Sequence, residues 1–183
     1  MTAGNILLGR AEIRVAKSAD YISTTGESLS SSDSVGRAQD CKLKNVQKFE
    51  DLKRIGSLLV VRRNLTDFGV SLGVTLLNVD WTSIAFLFGN QDPFTSSDEI
   101  KFTPSNFMSG GLNEWRVEAV FVYPNKEDKL VLIFPRATLM NPSDPSLVNL
   151  SEPGNIGFEF SAINAQNPIW NDAELGKIVF GKV

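Results

Sequence analysis

Residues 67–90, DFGVSLGVTLLNVDWTSIAFLFGN, constrain the fold more than any other stretch. The first half alternates with period two: Phe68, Val70, Leu72, Val74 and Leu76 share one side, and Gly69, Ser71, Gly73 and Thr75 the other. That is the pattern of a half-buried strand. Each apolar side chain contributes roughly 1.5–3 kcal/mol when fully buried, so this face belongs in a core. After Asn78 the period changes. Asp80 is placed to cap free amides, Trp81, Ile84, Ala85 and Phe88 follow at helical spacing, and Gly89 offers a left-handed stop, which predicts one short helix over about 80–88.

The remaining chain is read as strands and loops. Residues 5–15 form a first strand with Ile6, Leu8, Ile13 and Val15 inward and a slip near Gly9. Residues 18–40 are dominated by Ser, Thr, Gly and Asp. They carry too little apolar surface to offset roughly 1–2 kcal/mol of backbone ordering entropy per residue, and read as a flexible loop that a partner could order. The charge-dense residues 41–55 fit an exposed edge strand, where lysines discourage unwanted pairing, better than a helix. Residues 57–62 read as a buried strand. Residues 114–123 and 129–134 make a hairpin around the turn 124–128, with Trp115, Val117, Ala119, Phe121 and Tyr123 on one face and Pro135 as its end. Residues 155–163, with Ile156, Phe158 and Phe160 inward, and 175–183 complete the set. Seven to nine strands with one helix predict a mainly β chain, an antiparallel β-sandwich or partly closed β-barrel, in one domain spanning 1–183.

Chemistry is harder to find. The chain has no histidine and one cysteine, which removes the usual general base, the commonest zinc ligand and any disulfide within one chain. Neither a GxGxxG nor a GxxxxGK[ST] pattern occurs. The pairs Glu50/Asp51 and Asp98/Glu99 are neighbours in sequence, so in a strand their carboxylates point to opposite faces. A net charge of -3 gives no footprint for gripping nucleic acid or an acidic membrane. No apolar run approaches the ~20 residues of a membrane span, and no secretory signal is read at the start. The expectation is a protein that is not an enzyme, with no catalytic residues, cofactor or metal.

The order of features resembles the major tail tube protein of long-tailed bacteriophages. The likeness is carried by the Leu87-Phe88-Gly89 helix end, the Phe134-Pro135-Arg136-Ala137 corner and the closing Gly176-Lys177-Ile178. What the resemblance implies is a virion protein whose β domain forms hexameric rings, stacked into a hollow tube that passes DNA. It implies assembly in the host cytoplasm with tape-measure and terminator proteins, and with a sheath where one is present. It also implies a long loop reaching the neighbouring ring, a role that fits residues 18–40 by position and composition and that residues 41–55 could share.

On this reading Tyr21, Ile22 and Leu29 are candidate anchors of the loop, and Arg62 and Arg63 candidate charged contacts between subunits. Deleting 24–32 is expected to leave a folded monomer that forms no tubes. Two alternatives stand beside it. One is a monomeric β-sandwich that binds carbohydrate or peptide, with Trp170 as stacking platform. The other is a related assembly part, such as a secretion-system tube protein, a tail terminator or a capsid decoration protein.

Overall fold

The computed structural model describes residues 4–7, 10–53, 60–76, 114–123, 127–140 and 156–182. Among these residues eight strands, all paired antiparallel, form one sheet: β1 (Gly4–Leu7), β2 (Ala11–Lys17), β3 (Ser34–Lys53), β4 (Val60–Leu76), β5 (Glu114–Val122), β6 (Asp128–Met140), β7 (Ile156–Ala162) and β8 (Lys177–Lys182). The order is β1-β3-β2-β5-β6-β7-β4, and β4 also pairs with β3, so the sheet curls back on itself around apolar side chains. It opens along β6, which bonds β7 through Ala137–Met140 but β8 through Asp128–Ile133. The chain is therefore mainly β, as its alternation predicts.

Its one described α-helix is α1 (Ser18–Tyr21); the helix expected over 80–88 lies outside the described residues.

The alternating faces meet as expected except at the end of β5, where Tyr123 is 42% exposed. Ile13, Val15, Leu72, Val74, Leu76, Trp115, Val117, Ala119, Phe121, Phe158 and Phe160 pack into one cluster. The stripe of β4 runs out of it, however: Leu72 is fully buried, Val70 partly, and Phe68 is 45% exposed. A second, smaller cluster of Val120, Val131, Ile133, Ala165 and Trp170 lies on the opposite face of β5 and β6. These strands are thus covered on both sides, which the contiguous apolar run 130–134 allows.

Four boundaries differ from the sequence reading. Residues 5–15 fall in two strands, β1 ending at Leu7 and β2 beginning at Ala11. Residues 60–62 and the alternating stretch belong to one strand, since β4 runs unbroken from Val60, while 57–59 lie outside the described residues. β3 is no simple edge: β4 flanks it to Lys53, while β2 and then β1 take its other side as far as Asn45. Pro135 does not end β6. It sits where the register with β5 shifts between Trp115 and Val117, a bulge that asks no ladder amide of it, and its carbonyl accepts from Ser18 Oγ at 2.8 Å.

Entry to β8 depends on one glycine. Gly176 has φ +135°, and a Cβ there would run into the Ile133 carbonyl and lie 2.7 Å from Phe134 Cδ1. No L side chain fits both the conformation and the space.

Candidate assembly surface

β5 carries Arg116 and Glu118 two residues apart, hence on one face, and both are fully buried. Arg116 Nε donates to Glu118 Oε1 at 2.8 Å. The other guanidinium nitrogens donate to backbone carbonyls of a strap that crosses this face: Tyr21 at 3.1 Å, Thr24 at 2.7 Å and Gly26 at 2.6 Å. Glu118 in turn accepts from the Ser28 amide and hydroxyl, each at 3.1 Å, and from the Leu29 amide at 3.2 Å. The buried pair thus finds its hydrogen bonds in a segment that has no sheet partner of its own. Arg14 on β2 adds bonds to the Leu29 carbonyl and the Glu27 carboxylate, and Lys129 reaches Glu27 from β6. Trp170 closes the far side, its indole donating to the Ile22 carbonyl at 2.8 Å.

This geometry revises the reading of residues 18–40 as a flexible loop. They hold α1, a 3-10 turn at Ser31–Asp33 and the start of β3, and side chains from three strands fasten them. Polar composition misled because the apolar and ionic surface that orders the strap comes from elsewhere in the chain. Of the proposed anchors, Tyr21 ends α1, Ile22 packs half-buried against the Trp170 cluster, and Leu29 is 3% exposed. Leu29 therefore faces its own domain. Trp170, at 1% exposed, offers no platform for a sugar or peptide, and that alternative loses its main residue.

Arg62 and Arg63 lie elsewhere, on β4 opposite Leu52 and Asp51. Here, among the described residues, β3 and β4 continue as a two-stranded arm past the last residues that β1 and β7 reach, Asn45 and Ser71. Lys48 and Asp67 form an exposed ion pair across it at 2.8 Å, while Val46, Leu65 and Phe68 show apolar surface to solvent. A second exposed patch flanks β8: Ile178, Phe180 and Tyr123, with the two rings edge-on at 6.0 Å. Sequence reasoning missed both patches. Alternation marks which face a side chain takes, but not where along a strand the covering layer stops.

On the outer face of β3, β4 and β7 is an open groove of about 410 Å³ lined by Asp40, Lys42, Lys44, Gly73, Thr75 and Glu159 among others. Lys44 Nζ lies 2.8 Å from Glu159 Oε2, and Ser71 Oγ donates to Oε1 at 2.9 Å. The lysine, more than partial burial opposes it, holds the Glu159 carboxyl below its ordinary range. That carboxylate is a fixed partner of Lys44, not a base waiting for a proton. Cys41 is buried inside the sheet, and its thiol is pushed up to about 12 by burial and by Asp40. Among the described residues no three His, Cys, Asp or Glu side chains are grouped to hold a metal, and no helix is long and apolar enough to cross a membrane.

No protein-family model matches this chain, and no curated protein matches it in sequence.

Proposed function

We propose that this chain is a structural subunit of a bacteriophage tail tube, made to meet copies of itself in stacked hexameric rings through which DNA passes. The observation that carries the reading is the arm of β3 and β4, which leaves the body of the sheet with Val46, Leu65 and Phe68 exposed. A monomer gains nothing from such a ribbon: two strands alone are marginal in water, and open edges invite pairing with other chains. In an assembly the same edges and apolar side chains become contact surface. The fixed strap gives the body a rigid outer face on which neighbours can rest, and the Lys44–Glu159 groove offers a polar one.

The order of features along the sequence supports a tail tube over other assembly parts. Its test is negative-stain electron microscopy of the concentrated protein, beside a variant in which residues 49–66 are replaced by Asn-Gly to join Lys48 to Asp67, a register pair. Tubes from the full chain, and a folded protein without tubes from the short-armed variant, are expected. If the full chain stays monomeric at millimolar concentration under every condition tried, the proposal fails.

A further inference from the structure

We draw no further inference here: the strongest candidate, the exposed apolar patch of Tyr123, Ile178 and Phe180 flanking β8, carries nothing because nothing in the structure shows what covers it.

Discussion

The strap over β5 and the arm of β3 and β4 invert what their compositions suggest. The strap is Ser-, Thr- and Gly-rich yet fixed; the arm continues the strongest hydrophobic stripe in the chain yet exposes Phe68 and Leu65. An ion pair stands beneath the strap and another on the arm. Arg116–Glu118 is fully buried, with its remaining hydrogen bonds satisfied by strap backbone, whereas Lys48–Asp67 is exposed. The difference teaches that a segment's order follows from the partners it meets, more than from its own residues. A buried charge demands hydrogen bonds and so orders whatever supplies them; a surface pair demands little, because water serves as well.

The sharpest way to break this comparison is to remove one member of the buried pair. Arg116→Met leaves the Glu118 carboxylate buried without its countercharge, and Glu118→Leu does the reverse for the guanidinium. Either is expected to lower stability by about 3–5 kcal/mol in urea denaturation. Deleting 24–32 strips the same groups of the Gly26, Ser28 and Leu29 backbone, so the deletion is now expected to destabilise the fold itself. If the deletion melts like the parent chain, the strap is an ornament and not a part of the body.

A smaller effect separates the two ends of the β4 stripe. Leu72→Ala empties core volume and is expected to cost about 2–5 kcal/mol. Phe68→Ala, four residues away on the same face, is expected to change monomer stability by less than about 0.5 kcal/mol, as exposed positions do. Equal losses at the two sites would show Phe68 to be core.

The smallest effect concerns Lys44 and Glu159. Because the Glu159 pKa is lowered in the folded chain, its contribution is present above the ordinary glutamate pKa and is lost as the pH falls through the lowered value. Stability measured from pH 7 down to about pH 3 should decline less in Glu159→Gln than in the parent. An identical decline would mean that this pair adds nothing.

Much of the sheet was legible in the residues. Period two in β4, β5 and β7 named the inward faces, and the turn before Asp128 named the β5–β6 hairpin. The clamp was not legible. Arg116 and Glu118 occupy the polar positions of an alternating strand, which read as solvent-facing; only Val120, Val131 and Ile133 on the same side hinted that this face is covered too. Pro135 read as a terminator because the bulge that tolerates it is a property of the pairing with β5.

The sequence by itself determined that this chain is mainly β and which side chains turn inward, because alternation is a local property of an extended backbone. Only the tertiary structure decided which strands are neighbours, that the polar strap is held, and that the apolar stripe outruns its cover. Those depend on what lies across the sheet from each residue, and Tyr21, Thr24 and Gly26, 95, 92 and 90 positions before Arg116, come to meet it only once the chain has closed into one fold.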